Sequence, residues 1–474
     1  MPPDDLPYRF DRTALAAHLH ERFGSLEAAS QTGEQVAVAG RVLLMRSFGK
    51  LAFATIRDDS GRIQVMAELG EMGEERFRSF SALDLGDWIG GSGEVVTTKK
   101  GELTVRLESF QLLARSVRPL PDKWHGLSDI EGRSRQRYLD LIVNEEAQSV
   151  ARARTAVVSE LRRQFQARGY LEVETPVLLT QATGAIARPF VTHHHALDVD
   201  MQLRIATELY LKRLIVGGME RVFEIGRIFR NEGVDATHNP EFTMLESYQA
   251  LADYQDIMRL VEEVFSGCAN AVCGSTRLTF KGRELDLTPP FRSERFMDLV
   301  ERAVGEPIGF DRPIEELRVI ADRHGVNAKE SWGHGRIAAE LYEVLVEDSI
   351  WEPTFVLDHP KEISPLAREH REDQNLTERF ELVIAGSEYA NAFSELIDPV
   401  DQRARFEQQA GARASGDDEA HPIDEDFIRA LEYGMPPTGG LGIGVDRLVM
   451  LLTDTHHIRD VILFPTMRPR DLET

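Results

Sequence analysis

The sequence predicts an α+β protein in which a small β-barrel precedes a larger domain of strands and helices. The chain has 474 residues, 42% of them hydrophobic, which is globular in composition and too long for one core, so we expect two or three domains. Short strand-like segments fill residues 36–118. Beyond them, segments with helical periodicity are interspersed with segments in which apolar and polar residues alternate.

Composition narrows the class of protein. No run approaches the roughly 20 apolar residues of a membrane span, and MPPDDLPYRF lacks the basic and apolar regions of a signal peptide. We therefore expect a cytoplasmic protein that does not contact membranes. Only Cys268 and Cys273 are present, too few for a disulfide framework or a cysteine zinc site.

Charge is unevenly distributed along the chain. The net charge of −24 argues against a nucleic-acid partner, but local patches govern phosphate contact. Residues 36–118 hold 12 Lys or Arg against 11 Asp or Glu, so a polyanion could approach there. A second basic stretch follows, formed by Arg133, Arg135, Arg137, Arg152, Arg154, Arg162, Arg163 and Arg168. Solvated surface is the ordinary alternative for such residues.

The predicted barrel consists of the segments VAVAGRVLLM, KLAFATI, RIQVM, EVVTT and ELTVRLESFQLL. Barrels of this size bind single-stranded nucleic acid by stacking bases on aromatic side chains. Phe53 lies in a predicted strand near the basic residues Arg46 and Lys50. Core packing of Phe53 is the alternative. Residues 1–35 are predicted to form a helical extension.

The second domain follows PLPDKWHGL, in which two prolines and a glycine mark a linker. Its first helix is predicted from about Glu146 to Arg168, with Val157, Leu161 and Phe165 among the residues of one apolar stripe. The next segment, LEVETPVL, is strand-like.

Residues 221–248 predict two strands joined by a polar loop. Alternation places Arg230 on one face of the first strand, and Phe242, Glu246 and Tyr248 on one face of the second. An arginine suits a phosphate, an aromatic ring suits a base and a carboxylate suits an ammonium group. This surface could therefore bind a nucleotide and an amine together. A plain surface ribbon is the alternative.

Residues 380–396, FELVIAGSEYANAFSEL, alternate in the same way. Asn391, Phe393 and Glu395 share one face, and Gly386 permits a turn before them. Glu381 and Glu388 flank that turn. Two carboxylates so placed could hold Mg²⁺, which takes oxygen ligands and often bridges to substrate phosphates.

Residues 439–452, GGLGIGVDRLVMLL, predict a glycine-rich approach to an apolar helix with Arg447 in its first turn. Glycine lets the backbone approach a ligand, while a helix N-terminus and a guanidinium both favour an anion. The stretch fits neither a Rossmann fingerprint nor a Walker A sequence.

These stretches together resemble the class II lysyl-tRNA synthetases of bacterial type, over nearly the whole chain. ARGYLEVETPVL, FRNEGVDATHNPEFTMLESY and GLGIGVDRLVML are similar to the three motifs of that family. RQRYLDL, ARPFVTHHHALDVDM, ELYLKRLIVGG, ANAFSEL and ILFPTMRP resemble further family signatures in the same order. The resemblance implies an OB-fold that reads the anticodon at 36–120, a linker at 121–145, and a catalytic domain at 146–474 with an antiparallel sheet flanked by helices. It also implies a homodimer.

The resemblance implies roles for individual residues in activating L-lysine with ATP and transferring it to tRNA(Lys). Arg230 would bind the α-phosphate and the lysine carboxylate, and Arg447 the γ-phosphate. The other ATP contacts would be Glu232, His238, Asn239, Phe242 and Glu381, and Mg²⁺ would be held by Glu381 and Glu388. Lysine would be held by Gly184, Glu208, Glu246, Tyr248, Asn391, Phe393 and Glu395. Anticodon bases would be held by Arg46, Phe53 and Gln64.

Three alternatives to this reading differ in what they require. A related ligase that attaches lysine to a translation factor would share the pocket but lack the N-terminal barrel. The aspartyl and asparaginyl relatives would need a basic pocket, whereas this chain offers Glu246 and Glu395. An inactive nucleic-acid-binding protein would not need Arg230 and Arg447. Thr183, Thr207 and Ala392 depart from the family pattern beside the expected lysine contacts.

Overall fold

The computed structural model of this protein describes residues 6–121, 127, 129–185, 187–414 and 423–469. The chain divides into two compact units, Met1–Ser128 and Asp129–Thr474. Both contain strands and helices, which confirms the predicted α+β class. Over the described ranges, no helix combines the length and apolar character needed to cross a membrane.

The first unit is a closed five-stranded barrel. Its strands are β1 (Gln31–Phe48), β2 (Leu51–Arg57), β3 (Arg62–Glu68), β4 (Trp88–Thr97) and β5 (Leu103–Ala114). Its helices are α1 (Ala16–Phe23), α2 (Leu69–Met72) and α3 (Glu74–Ser81). The strand order β1-β2-β3-β5-β4 closes because β1, with 18 residues, pairs with both β2 and β4. Alternate residues such as Ala52, Ala54, Ile63 and Val65 fill the interior. The five predicted strands are therefore confirmed.

The helical extension predicted for residues 1–35 is only partly helical. Residues 1–5 lie outside the described part of the chain, α1 covers eight residues, and β1 begins at Gln31, inside the predicted range. Ala16 and Leu19 of α1 are buried in the barrel core. The segment is thus partly a component of the barrel, because its apolar residues lie over one end of the interior.

The second unit is built on an eight-stranded sheet. Its helices are α4 (Ile130–Arg135), α5 (Arg137–Val143), α6 (Glu145–Ala167), α7 (Glu208–Val216), α8 (Tyr254–Cys273), α9 (Phe296–Val304), α10 (Ile314–Arg323), α11 (His334–Leu345), α12 (Pro399–Ala414), α13 (Glu425–Glu432), α14 (Val445–Leu452) and α15 (Ile458–Val461). Its strands are β6 (Leu171–Glu172), β7 (Leu178–Leu179), β8 (Val191–His194), β9 (Val199–Leu203), β10 (Arg221–Phe229), β11 (Glu241–Ala250), β12 (Arg277–Phe280), β13 (Arg283–Asp286), β14 (Arg292–Arg295), β15 (Thr354–Leu357), β16 (Arg379–Ile384), β17 (Ser387–Ser394) and β18 (Thr438–Gly444).

The large sheet has the order β14-β15-β16-β17-β18-β11-β10-β6. Its inner pairs are antiparallel, and only the two edge pairs, β14 with β15 and β10 with β6, are parallel. Helices α6, α8 and α14 cover one face with a common apolar core that includes Val157, Phe265 and Leu448. The predicted first helix and its buried stripe are confirmed by α6. The opposite face of the central strands lines a cavity.

Two segments differ from their predictions. Within LEVETPVL, only Leu171–Glu172 and Leu178 lie in strands, because Pro176 has no N–H and Thr175 donates its backbone and hydroxyl hydrogens to Glu224 instead of a ladder. The range predicted as a linker, 121–145, contains α4 and α5. Residues 122–126 and 128 of that range lie outside the described chain.

Candidate active site

A cavity of about 490 Å³ lies on the open face of the large sheet, over β11, β16, β17 and β18. Every catalytic-domain residue that the sequence singled out lines it. These residues are Gly184, Glu208, Arg230, Glu232, His238, Asn239, Phe242, Glu246, Tyr248, Glu381, Glu388, Asn391, Phe393, Glu395 and Arg447. Residues from the three stretches described above, together with Gly184 and Glu208, therefore converge on one concave surface.

Of the two strands predicted in residues 221–248, β11 lines the cavity directly, while β10 ends one residue before Arg230. Their register pairs Ile228 with Phe242 and Gly226 with Met244, so the predicted alternation holds on both strands. Arg230 follows β10, and its guanidinium carbon lies 5.3 Å from the centroid of the Phe242 ring. Glu224 belongs to the same alternation but does not line the cavity, because it forms a buried ion pair with Arg204.

One end of the cavity is acidic and buried. Glu246 accepts a hydrogen bond from the Thr207 backbone N–H at 3.1 Å, and it is 5% exposed. Burial raises the pKa of Glu246 to about 7, although the bond from Thr207 acts in the opposite direction. Burial, together with Glu208, Glu246 and Glu395, raises the pKa of Tyr248 well above its usual range, so its hydroxyl stays a neutral donor.

Glu395 completes the acidic end. Burial raises its pKa, Lys212 acts against that effect, and Glu208 and Glu246 add to it. Gly440 on the neighbouring strand makes room for this side chain, because a Cβ at that position would lie 1.8 Å from Glu395 Oε1. The sequence indicated that the glycines of this strand let a ligand approach. At Gly440 the group that approaches the backbone is a protein carboxylate.

Lys212 holds two of the acidic residues together. Its Nζ lies 2.6 Å from Glu208 Oε1 and also forms an ion pair with Glu395. The side chain is fully buried, and its ammonium lies 5.5 Å from the Phe393 ring centroid. Burial alone would lower the pKa of Lys212, but Glu208 and Glu395 outweigh burial and raise it, so the ammonium stays charged.

The other end of the cavity carries basic and hydrogen-bonding groups. Arg447 donates to the backbone oxygen of Glu388 at 2.6 Å, and its second nitrogen lies 3.4 Å from His238 Nε2. Asp235 accepts from His238 Nδ1 at 2.9 Å and thereby orients that ring. Burial acts to raise the pKa of Asp235, but hydrogen bonds from His238 and Thr237 hold it well below its usual range.

Glu381 and Glu388 lie on neighbouring strands at the same end. A β-bulge between Leu382 and Val383 separates their positions in the ladder. Burial and the charge of Glu381 raise the pKa of Glu388, while Arg447 acts in the opposite direction. Arg379 donates to Glu381 Oε1 at 2.6 Å. Two carboxylates whose charges repel each other favour a cation between them.

A hydrogen-bonded network beside the cavity links α6 to the second and third sequence motifs. Arg154 of α6 forms an ion pair with Asp446 of α14 and donates to the Thr243 hydroxyl at 2.9 Å. Asp446 also accepts from the Thr243 backbone N–H at 2.6 Å. These bonds fix β11 and the start of α14, and therefore the positions of Phe242 and Arg447.

The predicted base-contacting residues lie together on the outside of the barrel. Arg46 pairs with Phe53 across β1 and β2, and Gln64 lies two positions from the residue that pairs with Phe53 on β3. Arg46 is exposed, and Phe53 and Gln64 are partly exposed, while Ala52 and Ala54 point inward. The prediction that Phe53 faces outward, rather than into the core, therefore agrees with its position. Gln64 donates to the Thr104 hydroxyl at 2.8 Å.

The second basic stretch does not form an open phosphate-binding surface. Ion pairs engage most of its members: Arg133 and Arg137 with Asp140, Arg135 with Glu131, Arg154 with Asp446, Arg162 with Glu172, Arg163 with Glu160 and Arg168 with Glu263. Arg162 and Arg163 lie on the solvated surface that the alternative predicted, whereas Arg137 is buried. No group of three or more metal-ligating side chains is found in the described ranges, His193–His195 included.

Sequence analysis did not identify three residues that shape the site, namely Lys212, Asp235 and Arg379. Lys212 follows Glu208 by four positions within ELYLKRLIVGG, a spacing that brings two side chains together on one face of a helix such as α7. Asp235 precedes His238 by three positions in a polar loop, a spacing typical of a side chain that caps a turn. Arg379 carried no comparable signal.

Comparison with known proteins places this geometry in context. Residues 129–468 match the family described as tRNA synthetases class II (D, K and N). Residues 36–113 match the OB-fold nucleic acid binding domain. The chain is 52% identical over 467 residues to the lysine–tRNA ligase of Enterococcus faecalis, covering 98% of this chain and 94% of that protein. It is 50% identical over 470 residues to that of Pediococcus pentosaceus, covering 99% and 94%, and 50% identical over 463 residues to that of Thermoanaerobacter pseudethanolicus, covering 98% and 92%.

Proposed function

This chain belongs to the lysine–tRNA ligases of the class II tRNA synthetases, which are ATP-dependent enzymes, and we propose the residue roles by which it acts. One observation carries the proposal. The cavity has three buried carboxylates at one end, Glu208, Glu246 and Glu395, and two arginines further along it, Arg230 and Arg447. That distribution fits a substrate with two ammonium groups next to a polyphosphate.

Lysine recognition would divide between its two amino groups. We assign the ε-ammonium to Glu246, Glu395 and the Tyr248 hydroxyl, and the α-ammonium to Glu208 and the backbone of Gly184. Asn391 would contact the carboxylate, and Phe393 the aliphatic part of the side chain. A shorter or uncharged amino acid would leave buried carboxylates unpaired, at a cost of about 1–3 kcal/mol for each group.

ATP recognition would use the other end of the cavity. Phe242 would stack under adenine, with Arg447 on the opposite side and near the γ-phosphate. Glu232, His238, Asn239 and Glu381 would contact the nucleotide. One observation supports Asn239: its Oδ1 is buried and has no hydrogen-bond partner among the described residues, while its Nδ2 donates to the Glu241 oxygen at 2.6 Å. A ligand donor would satisfy that oxygen.

The reaction would need no protein nucleophile. A lysine carboxylate oxygen attacks the α-phosphorus of ATP in line, the bond to the β-phosphate oxygen breaks, and pyrophosphate leaves. The terminal ribose hydroxyl of tRNA then attacks the carbonyl of the mixed anhydride, releasing AMP. Arg230 would lie between the carboxylate and the α-phosphate, where it stabilises the charge that develops on the phosphoryl oxygens.

Glu381 and Glu388 fit a hard cation such as Mg²⁺, because both offer oxygen atoms and their charges repel each other without a cation. We propose that these two residues hold Mg²⁺, with phosphate oxygens and water completing the coordination. When bound, the ion would neutralise charge on the phosphates. Arg379, bonded to Glu381, would keep that carboxylate oriented.

We assign anticodon recognition to residues 36–120 and activation to residues 146–474, connected by residues 121–145. Arg46, Phe53 and Gln64 would contact the anticodon bases of tRNA(Lys). Their common position on the outer barrel face supports this assignment. Because its substrates are solutes of the cytoplasm, we propose that the enzyme works there.

We also propose a homodimer. Leu178 of β7 and Val199 of β9 are exposed apolar residues on one face of the small β7-β9-β8 sheet, and Leu171 and Phe464 are exposed as well. Exposed apolar residues that share one face of a sheet are typical of a protein interface. Sedimentation of the protein and of the variant L178E/V199E would test the proposal, since only the variant is expected to sediment as a monomer.

The function is tested by supplying unfractionated tRNA, ATP and each labelled amino acid in turn. We expect lysine alone to be attached to tRNA and lysine alone to drive exchange of pyrophosphate into ATP. Exchange with lysine but no charging of tRNA would mean that the acceptor is another RNA or a protein. Exchange with a different amino acid would overturn the assignment of the acidic end.

A further inference from the structure

Lys212 is a fully buried cation that none of the roles above uses. A buried ammonium is costly unless charged groups surround it, so its presence beside the substrate site needs a reason. It lies one helical turn after Glu208 on α7, while Glu395 reaches it from the end of β17. It therefore joins the residue assigned to the α-ammonium of lysine and a residue assigned to the ε-ammonium.

Among the described residues, four elements surround Lys212. The charged groups that act on it are Glu208 on α7 and Glu395 after β17, and Glu246 and Tyr248 on β11 interact with those two carboxylates. Helix α13 contributes the Phe427 ring, 5.9 Å from the ammonium. Asp424, at the start of α13, is held by Arg213 at 2.9 Å, and Asp426 is bound by the same arginine. Lys212 is thus the cation that Glu208 and Glu395 share.

The charge balance of the acidic end depends on this residue. Glu208, Glu246 and Glu395 carry three negative charges when ionised, and Lys212 reduces the total to two. A lysine substrate brings two ammonium groups, and its carboxylate goes to Arg230 and Asn391. With Lys212 present, the ammonium groups of the substrate match the charge that remains. Without it, one carboxylate would stay buried and unpaired.

Lys212 also fixes the positions of the Glu208 and Glu395 carboxylates. Glu395 Oε1 is buried and has no hydrogen-bond partner within the described chain, whereas its other oxygen contacts Lys212. In Glu208 likewise, Oε1 is bound to Lys212. Each carboxylate therefore has one oxygen fixed by the same ammonium, which leaves the other for a second donor. The two acceptors are held at a set separation before any substrate enters.

We propose that Lys212 is a positioning residue for lysine recognition, which fixes Glu208 and Glu395 and matches the charge of the acidic end to a substrate with two ammonium groups. The proposal deepens the proposed function and rests on the assignment of Glu208 and Glu395. It predicts that loss of the Lys212 charge impairs lysine binding far more than ATP binding or the chemical step. The effect should also depend on pH.

The test is the variant Lys212→Met, which keeps most of the length of the side chain and removes its charge. In lysine-dependent pyrophosphate exchange, we expect the KM for lysine at pH 7 to rise roughly 30-fold or more, the lower end of what removing one partner of a buried charge pair costs. The KM for ATP and kcat should change little. Because Glu208 and Glu395 would then repel each other and take up a proton, the KM for lysine should fall more steeply as pH rises than it does in the unmodified enzyme.

Lys212→Arg is the matched variant, since it keeps the charge in a larger side chain. It should follow the pH profile of the unmodified enzyme even if its KM is somewhat higher. A purely structural role for Lys212 would instead lower the fraction of active enzyme equally at every pH, with the KM for lysine unchanged. That result, or a KM for lysine that falls in Lys212→Met at pH 7, would overturn the proposal.

A double variant keeps the test valid if Lys212→Met does not fold. Lys212→Met combined with Glu395→Gln removes the ammonium and one carboxylate together, so no unpaired charge is left buried. We expect it to fold, with a raised KM for lysine and the pH profile of the unmodified enzyme. The proposal would be contradicted if the KM for lysine of the double variant kept the altered pH profile of the single variant. Glu395→Gln alone distinguishes failure of the Lys212 proposal from failure of the Glu395 assignment, because an unchanged KM for lysine in that variant would refute the assignment itself.

Discussion

The cavity of the second unit and the outer face of the barrel hold their side chains in opposite ways. In the cavity, charged groups are already bound by other protein groups: Glu208 and Glu395 by Lys212, and Glu246 by a backbone N–H. On the barrel, Phe48 is 64% exposed at the end of β1, and its ring meets that of Phe53 edge-on, with centroids 6.3 Å apart.

This difference indicates where single substitutions should have large effects. A buried charge that loses its partner is not rescued by water, so a change in the cavity affects every neighbouring charge. An exposed aromatic side chain contributes mainly its own contact with a base, and that contribution is limited. We therefore expect changes in the cavity to be large and dependent on one another, and changes on the barrel to be smaller and nearly additive.

Arg230→Ala should have the largest effect. It removes the guanidinium assigned to the α-phosphate, so lysine-dependent pyrophosphate exchange should fall by about 10³-fold or more, as when charge stabilisation is lost in other phosphoryl-transfer enzymes. Binding of tRNA should be retained. Arg227→Ala is the matched control, because Arg227 lies on β10 just before Arg230, does not line the cavity and forms an ion pair with Glu241 at 3.5 Å. Normal exchange in Arg230→Ala would refute the role of this residue.

Gly440→Ala sharpens the comparison within the cavity itself. The new Cβ would lie 1.8 Å from Glu395 Oε1, so that carboxylate must move away from the acidic end. We expect the KM for lysine to rise about 30-fold, equivalent to about 2 kcal/mol of lost interaction. In Gly442→Ala, the nearest atom is the flexible end of Met244 at 3.2 Å, so that variant is expected to keep its affinity for lysine.

The two glycine variants are compared by steady-state exchange at saturating ATP, together with a thermal unfolding curve for each. Equal rises in the KM for lysine would mean that Glu395 is not the sensitive neighbour. The unfolding curve would show whether Gly440→Ala fails to fold. Gly440→Ser could not replace it in that case, because serine adds the same Cβ. The variant Glu395→Asp would then measure the same displacement, since its shorter side chain withdraws the carboxylate without adding an atom.

A pH dependence of lysine binding should follow from Glu246. Its pKa in the empty cavity is raised to about 7, and the ammonium of lysine binds the ionised form. A raised carboxyl pKa means that protonation competes with the substrate below about pH 7, so affinity is retained above that value and lost beneath it. The KM for lysine should therefore rise about tenfold from pH 8 to pH 6.

The KM for ATP, measured in the same experiments, serves as the control for this pH dependence. Glu246→Gln should raise the KM for lysine and flatten its dependence on pH. A flat profile in the unmodified enzyme would mean that Glu246 is ionised over the whole range and that its burial is offset by groups other than Thr207. Barrel variants should leave the profile as it is, because their residues lie in the other unit.

The two regions also differ in how far the sequence could predict them. The alternation in residues 221–248 predicted the register that brings Arg230, Phe242 and Glu246 to one surface, because a strand has only two faces. Five short segments rich in apolar residues likewise predicted the five strands of the barrel, because each strand is recognised from its own residues. Period and alternation are local properties, and local properties are readable from a single sequence.

Lys212 could not be predicted in the same way. A lysine on a helix is normally solvated, and only the approach of Glu395 from the end of β17 makes this one buried and paired. The middle of LEVETPVL was also unpredictable from alternation, since Thr175 exchanges its ladder bonds for the Glu224 carboxylate. Both depend on contacts between residues far apart in sequence.

Phe53→Ala should have the smallest effect and tests the barrel half of the comparison. Loss of one stacked base is worth about 1–3 kcal/mol, and we expect the lower end, because Phe48 remains beside the vacated position. The KM for tRNA(Lys) in charging should rise about fivefold, while pyrophosphate exchange without tRNA stays unchanged. Phe48→Ala, measured alongside, shows whether its exposed ring shares the contact. If both single variants are mild and the double variant is merely their sum, the two rings act independently. A change in exchange without tRNA would instead contradict the separation of the two regions.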